Sequence, residues 1–124
     1  MAMASYPHAS IRIELGPGRR LGPGKIRLLQ LIGDLGSISA AAREMGMSYR
    51  RAWLLVEQSN QLFQSPLVES IAGGAGGGGA RLTPLGCKVI QAYSQIVDDI
   101  ASLVESKLAA VPEFGTAAKN SDER

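Results

Sequence analysis

Two short helical patterns joined by one glycine constrain this chain more than any other feature of its sequence. The first, which Ser37 or Ser39 can cap, has the i, i+3, i+4, i+7 spacing of a buried stripe at Ile38, Ala41, Ala42 and Met45. Gly46 interrupts the pattern, and Ser48 can cap a second helix over residues 48–63 that Pro66 ends. The predicted inner face of this second helix comprises Ala52, Leu55, Val56, Ser59, Leu62 and Phe63. Because alanines let helices approach closely and glycine accepts turn geometry that other residues resist, the pattern predicts a helix-turn-helix.

The first turn of the second helix carries polar and basic residues, namely Ser48, Tyr49, Arg50 and Arg51. In a helix-turn-helix this turn meets base edges and phosphates when the helix enters the major groove of DNA. We expect Tyr49 and Arg50 to read bases and Arg51 to contact a phosphate; the alternative is an ordinary antiparallel helix pair with a solvated outer face. Trp53 either packs against DNA or seals the edge of the core, and the second arrangement is commoner for a lone tryptophan.

The composition is typical of a small single domain. The chain has 124 residues, of which 45% are hydrophobic and 19% charged, so it can form a core. No apolar run approaches the roughly 18 to 20 residues of a membrane span, and residues 1–9 lack the apolar stretch of a signal peptide. One cysteine, Cys87, and one histidine exclude an internal disulfide and leave almost no metal ligands. We expect a cytoplasmic protein with no membrane partner, metal, cofactor or catalytic residues, in which Cys87 is a buried thiol.

Positive charge is concentrated in about a third of the chain. The formal net charge is only +2, yet residues 19–51 contain seven Lys or Arg against two Asp or Glu. A basic segment of this kind favours a polyanionic partner, although a solubilising surface is equally consistent with the charge alone. The further candidates for phosphate contacts are Lys25, Arg43 and Arg81.

The residues before the helix-turn-helix predict a strand, a loop and a helix. Residues 1–9 are expected to form a flexible leader, and residues 11–15 alternate apolar and polar side chains as a strand does. Residues 16–24 hold four glycines and two prolines and are predicted to be a basic loop without regular structure. A helix then begins at residue 24 or 25 and stops at Gly36, with a buried stripe of Leu28, Leu31, Ile32 and Leu35.

A glycine-rich hairpin is predicted after the helix-turn-helix. Residues 67–72 and 80–83 read as strands, joined by a mobile connection over residues 73–79 that contains six glycines. Beside a helix-turn-helix, such a hairpin is typical of a wing whose backbone amides lie along DNA phosphates, here those of Gly76, Gly77 and Gly78. The alternative is a disordered surface loop. Residues 74–79 also match a G-x-G-x-x-G dinucleotide fingerprint, but the second parallel strand that such a fold requires is missing.

A long amphipathic helix is predicted at residues 84–110, with Thr83 as its cap. Its apolar residues follow the spacing of a coiled-coil seam at Val89, Tyr93, Ile96, Ile100 and Leu103. A second apolar line widens the stripe beyond what one small domain covers, at Ile90, Val97 and Val104. We expect one side to face the chain's own core and the seam to pair with a second copy; the alternative is a single covered core helix. Residues 112–124 are expected to be a flexible tail.

In this order, the predicted elements resemble a winged helix-turn-helix of the LysR-like kind. Several motifs resemble one group in particular: Gly36-Ser37-Ile38-Ser39 with Ala41-Ala42, Ser48-Tyr49-Arg50 with Ala52-Trp53, Asn60-Gln61-Leu62, Leu67-Val68-Glu69, and a glycine-rich wing closing in Leu82-Thr83. Over residues 11–111 the sequence is similar to the DNA-binding half of ModE, the molybdate-responsive transcription regulators. The expected fold is therefore mainly α with a small antiparallel β-sheet: a winged helix-turn-helix at residues 10–111 with a long C-terminal dimerisation helix.

The resemblance also implies a homodimer whose two recognition helices read the half-sites of a palindromic operator in double-stranded DNA. The family's oxyanion-binding modules follow its DNA-binding domain, and this sequence ends where they would begin, so we expect no direct binding of molybdate to this chain. The leading hypothesis is a homodimeric, sequence-specific DNA-binding regulator linked to molybdate or molybdoenzyme genes. The alternative is a winged-helix adaptor that binds protein and does not bind DNA specifically.

Overall fold

The computed structural model describes residues 8–74 and 77–113. The elements in chain order are β1 (Ile13–Gly16), β2 (Arg19–Leu21), α1 (Pro23–Leu35), α2 (Ile38–Glu44), α3 (Tyr49–Ser59), β3 (Val68–Gly74), β4 (Gly77–Leu82) and α4 (Pro84–Ala109). The strands form two separate antiparallel hairpins, β1–β2 and β3–β4, rather than one sheet. The predicted mainly α, winged helix-turn-helix fold with a long C-terminal helix is confirmed. Most of the predicted leader and tail, residues 1–7 and 114–124, lies outside the described residues.

The chain divides into two compact units. One runs from Ile11 to Ser94 and contains both hairpins, α1 to α3 and the beginning of α4. The other contains α4 from Gln95 onward. Among the described residues, no helix combines the length and the apolar character that crossing a bilayer requires.

The core of the Ile11–Ser94 unit is built around α1, which packs against α2, α3 and β4. The predicted stripe is buried at Leu28, Leu31 and Ile32, and Leu29 beside it is buried too. Leu35 shares the stripe by spacing but is 46% exposed, because it lies in the last turn of α1, where the cover over the stripe ends.

A hairpin occupies part of the segment that was predicted to be an irregular basic loop. Pro17 and Gly18 form its turn, and Gly18 takes a φ of +70°, which glycine adopts without strain. The chain therefore returns beside β1, with Ile13 opposite Leu21 and Glu14 opposite Arg20. The prediction of no regular structure is wrong here, because the glycines and prolines that break longer elements also close a tight turn.

Two further boundaries differ from the sequence-based expectation. Helix α3 ends at Ser59 instead of continuing to Phe63. The side chain of the next residue, Asn60, accepts a hydrogen bond from the Leu67 amide just before β3, and the chain leaves the helix there. Leu62 is buried even so. Strands β3 and β4 extend into the glycine tract as far as Gly74 and Gly77, so the tract is only partly a connection; residues 75 and 76 lie outside the described part.

Helix α4 begins at the predicted cap. Thr83 Oγ1 accepts a hydrogen bond from the Gly86 amide at 3.0 Å, and the Tyr93 hydroxyl donates to the Ile11 carbonyl. Of the predicted dimer seam, Val89 and Tyr93 are buried within the Ile11–Ser94 unit. The other seam residues are less covered: Ile96 is 37% and Leu103 54% exposed, and Ile100 is half-buried. Cys87, expected to be buried, is exposed, since it lines an open groove between α1 and α4.

Gly86 lies against the backbone at the start of the β3–β4 hairpin, and this close approach predicts the effect of a substitution. A Cβ at this position would meet the Leu67 carbonyl oxygen at 2.3 Å, and backbone cannot move aside as a flexible side chain can. We expect Gly86→Ala to lower the free energy of unfolding by about 1–3 kcal/mol in urea denaturation, as overpacking does.

Gly24→Ala is the matched control, since it also lies in a helix but a Cβ there meets nothing within 4 Å. It should leave stability unchanged or raise it by up to ~1 kcal/mol through helix propensity. Equal stabilities for the two variants would contradict the steric argument.

Candidate nucleic-acid interface

The turn between α2 and α3 sets these two helices against each other. Ser37 caps α2 by accepting a hydrogen bond from the Ala40 amide (3.0 Å), and Ser48 caps α3 by accepting one from the Arg51 amide (3.1 Å). Gly46 has a φ of +68°, in the left-handed region where glycine is favoured, and there the chain reverses. Three alanines, Ala41, Ala42 and Ala52, are buried in the two helices, which touch. The predicted helix-turn-helix is present.

The first two turns of α3 present an exposed face. Tyr49 is 54% exposed, and Arg50 and Arg51 are also exposed, so the described chain does not cover the arginine end of this helix. Trp53 is 45% exposed, so it lies at the surface and is not enclosed in the core. The reason is helical geometry: consecutive residues lie about 100° apart around a helix, so Trp53 is turned away from the buried line through Ala52.

An uncharged groove separates α3 from the β3–β4 hairpin, and we call it the aromatic groove. Its volume is about 350 Å³, and it is lined by Ser37, Ile38, Ser39, Tyr49, Trp53, Ser70, Ile71, Gly78, Gly79 and Ala80. None of these lining residues carries a charge. The groove therefore offers two aromatic rings and four hydroxyl groups, those of three serines and Tyr49, beside the exposed face of α3.

Hydrogen bonds fix the β3–β4 hairpin relative to α3. Asn60 Oδ1 accepts from the amides of Leu67 and Val68, both at 2.9 Å, and Asn60 Nδ2 donates to the Val68 carbonyl at 3.1 Å. On the other strand, the Ala80 amide donates to the Gly36 carbonyl at 3.1 Å. The hairpin thus holds a set position next to the helix-turn-helix, as a wing does.

The phosphate-contacting groups predicted for the wing are Arg81 and the amides of three glycines, and the structure describes all of them except Gly76. Arg81 Nε lies 2.8 Å from Glu69 Oε2 across the hairpin, and both side chains are exposed. Gly77 and Gly78 belong to β4, and Gly78 is exposed. Gly76 lies outside the described residues.

A second groove, which we call the basic groove, lies on the other side of α3. Lys25 and Arg51, both predicted as phosphate contacts, line it together with Arg12 and Arg20. Burial, followed by the nearby Arg20 charge, lowers the pKa of Lys25 from its ordinary value. Arg43 is not part of this groove; it is exposed in the last turn of α2.

Residues 24–87, slightly more than half of the chain, match the lysR family of bacterial regulatory helix-turn-helix proteins. The chain belongs to this family.

Several curated proteins are similar to this lysR-family chain. It is 49% identical to the molybdenum-pterin-binding protein MopB of Rhodobacter capsulatus, over 72% of this chain and 33% of MopB. It is 40% identical to the DNA-binding transcriptional dual regulator ModE of Escherichia coli K12, over 79% of this chain and 42% of ModE. It is 42% identical to the molybdenum-pterin-binding protein MopA of R. capsulatus, over 68% of this chain and 32% of MopA. The chain thus spans about a third to two fifths of the length of these relatives.

Sequence reasoning missed three contributors to the interface of this lysR-family protein. Asn60 was assigned no role beyond its place in a motif, because the apolar pattern continues to Phe63 and places Asn60 inside the predicted helix. Arg12 and Arg20 were assigned no function. For Arg12, the alternating strand pattern could have indicated an exposed cation, because it places this residue on the polar face between Ile11 and Ile13.

The three hydrogen bonds of the Asn60 side chain, which we call the Asn60 latch, predict that a nearly isosteric substitution of Asn60 lowers the stability of the fold. Asn60→Asp keeps the acceptor for the two amides but replaces the Nδ2 donor with an oxygen facing the Val68 carbonyl. We expect the free energy of unfolding to fall by about 1–3 kcal/mol, the cost of leaving a partly buried acceptor without its donor.

Gln58→Glu makes the same amide-to-acid change at an exposed position of α3 and is the control. It should change the urea midpoint little. If Asn60→Asp were as stable as Gln58→Glu at neutral pH, the latch would have no energetic role.

Proposed function

We propose that this chain is a homodimeric, sequence-specific DNA-binding transcription regulator that acts on genes of molybdate transport or molybdoenzymes. The observation that carries the proposal is the exposed, basic first turn of α3 in a helix-turn-helix flanked by a wing. A helix of about 10–12 Å diameter fits the major groove, and its N-terminal residues are the ones that reach base edges.

The proposed roles follow from position on this face. Arg50 and Tyr49 read base edges, because they lie in the first turn of α3 and are exposed. The proposed phosphate contacts are Ser48, Arg51, Lys25, Arg43, Arg81 and the amides of Gly76, Gly77 and Gly78. The Arg81–Glu69 pair is compatible with this role, since an exposed ion pair contributes little and Arg81 keeps its Nη groups for a phosphate.

The link to molybdenum rests on the relatives. MopA and MopB are named as molybdenum-pterin-binding proteins, and ModE of E. coli as a DNA-binding transcriptional dual regulator. The shared segment includes the helix-turn-helix, so similar target genes are the simplest inference. We propose no molybdate site on the described residues.

The proposed dimer uses the α4 seam beyond the first unit. Ile96, Ile100 and Leu103 repeat at the spacing of a coiled coil, and Leu103 is 54% exposed in the single chain. Burial of these side chains against a second copy would remove them from water, and a two-fold axis would place two α3 helices on one duplex.

A protein-binding adaptor is the second candidate, and the aromatic groove favours it, since two exposed aromatic residues in a groove with no charged lining residue suit a peptide. It predicts a partner interaction that is insensitive to salt and no shift of duplex DNA at low salt.

Selection of bound fragments from random duplex DNA tests the main proposal. We expect a two-fold symmetric consensus, with the effect of molybdate measured in parallel selections. On that consensus, Arg50→Ala should cost about 1–3 kcal/mol and relax the preference at one base pair per half-site, because it removes the bidentate hydrogen bonds between arginine and guanine.

Arg81→Gln is the comparison. It should weaken binding on all sequences alike and reduce the slope of log K against log salt by about 1, since one phosphate is then no longer neutralised. If Arg50→Ala weakened binding equally on all DNA sequences, Arg50 would have no role in base readout.

The dimer proposal predicts a change in assembly on introducing one charge. Leu103→Asp should convert the dimer to monomer at micromolar concentration in sedimentation equilibrium, because the carboxylate would be buried in an apolar seam. Ser102→Asp adds the same charge to the opposite face of α4 and should leave the dimer intact. Dimers of equal stability in both variants would contradict the seam.

A further inference from the structure

The basic groove brings together four cations from different elements of the fold. Arg12 precedes β1, Arg20 lies in β2, Lys25 in the first turn of α1 and Arg51 in the first turn of α3. The groove has a volume of about 270 Å³, and no Asp or Glu is among its lining residues. A phosphate group fits this space, since a water molecule takes only about 30 Å³ in the liquid.

The positive charge of the groove is largely uncompensated by the residues that the structure describes. Neither the Arg12 nor the Arg51 guanidinium has a hydrogen-bond or ion-pair partner in the described ranges 8–74 and 77–113. Arg20 Nε approaches Glu14 Oε2 only to 3.6 Å, and both side chains are more than half exposed. Lys25 Nζ donates to the Arg20 carbonyl at 3.0 Å, which uses a proton but neutralises no charge. Converging guanidinium groups of this kind suit a tetrahedral oxyanion, which they bind through paired N–H donors.

The position of the groove relative to α3 indicates which oxyanion reaches it. Arg51 and Leu55 face the basic groove, whereas Tyr49 and Trp53 face the aromatic groove. Arg50 lies between the two, on the exposed face. A helix in a major groove about 12 Å wide has a phosphate backbone on each side, so one backbone must pass the basic groove.

We propose that the basic groove is an oxyanion site that holds a backbone phosphate of the bound duplex, with the β1–β2 hairpin acting through Arg12 and Arg20 as a second clamp opposite the wing. The inference rests on the proposed DNA binding, because Arg51 belongs both to the groove and to the first turn of α3. It adds to that function an interaction that reads no sequence and strengthens binding to any duplex.

The test uses the full chain and the double variant Arg12→Gln/Arg20→Gln, which leaves α3 unchanged. Both side chains are exposed, so the fold should persist, as circular dichroism and a thermal midpoint would verify. Binding of a random-sequence duplex is measured between about 50 and 200 mM salt. For each phosphate that the variant no longer neutralises, we expect the slope of log K against log salt to fall by about 0.9 and the affinity at 0.1 M salt to fall roughly eightfold.

Arg27→Gln is the matched control, an exposed arginine on α1 that does not line the groove. It should keep the wild-type slope. A slope for the double variant equal to that of Arg27→Gln would overturn the proposal. The single variants Arg12→Gln and Arg20→Gln, each expected to show part of the effect, decide the question if the double variant is unfolded.

Titration with inorganic phosphate, followed by amide shifts in NMR spectra, separates a free oxyanion from DNA. Saturable shifts at the groove, together with an unchanged DNA slope, would assign the site to a free oxyanion and overturn the DNA source. If the wild-type chain binds no duplex at low salt, the proposed function fails by itself. The phosphate titration then decides the groove alone, and an absence of shifts there would reject the oxyanion site as well.

Discussion

The backbone of Leu67 ties together three elements, and the geometry of the interface depends on it. Its side chain is fully buried, its amide donates to Asn60 Oδ1, and its carbonyl accepts from the Thr83 amide at 2.9 Å. Gly86 approaches the same carbonyl so closely that a side chain cannot fit. Because these partners belong to the end of α3, the start of the β3–β4 hairpin and the start of α4, the three cannot shift independently. A small domain gains from such a junction, since its core alone is limited.

This rigid frame leaves α3 exposed between two grooves of different chemistry. The aromatic groove offers rings and hydroxyls without charge, and the basic groove offers four cations without a carboxylate. In the proposed complex, the DNA backbone on one side of α3 would meet charge, and the backbone on the other side would meet Tyr49, Trp53 and the wing. This asymmetry would favour one direction of α3 in the duplex, since phosphate contacts fix orientation without reading sequence.

Local patterns predicted the parts of this fold that depend on neighbouring residues. The α2–α3 turn followed from Gly46 and two serine caps, since caps and left-handed turns are decided within a few residues. The strand at Arg19–Leu21 was not predicted. It pairs with β1 through a turn of proline and glycine, and the same residues also indicate an interruption of regular structure. Helical spacing turns Trp53 away from the buried line through Ala52, but how much of the ring is covered also depends on tertiary packing, which no local pattern predicts. Arg12 and Arg51 line one groove through tertiary packing alone, which no spacing in the sequence reveals.

The low net charge of the chain does not reflect the local concentration of positive charge in the basic groove, which affects the stability of the folded state. With a formal charge of only +2, the chain as a whole would attract DNA weakly, so the proposed affinity would depend on where the cations are concentrated. Burial and the charge of Arg20 lower the pKa of Lys25, which means that the folded state holds this proton less tightly than the unfolded state does. Between the folded pKa and the ordinary value, folding is therefore favoured as pH rises, and at neutral pH the protonated Lys25 opposes folding. A bound phosphate would oppose that shift, because a nearby anion stabilises the protonated form. Lys25 thus opposes folding in the free domain and would be stabilised by an anionic partner, a conflict between stability and function that is common at binding sites.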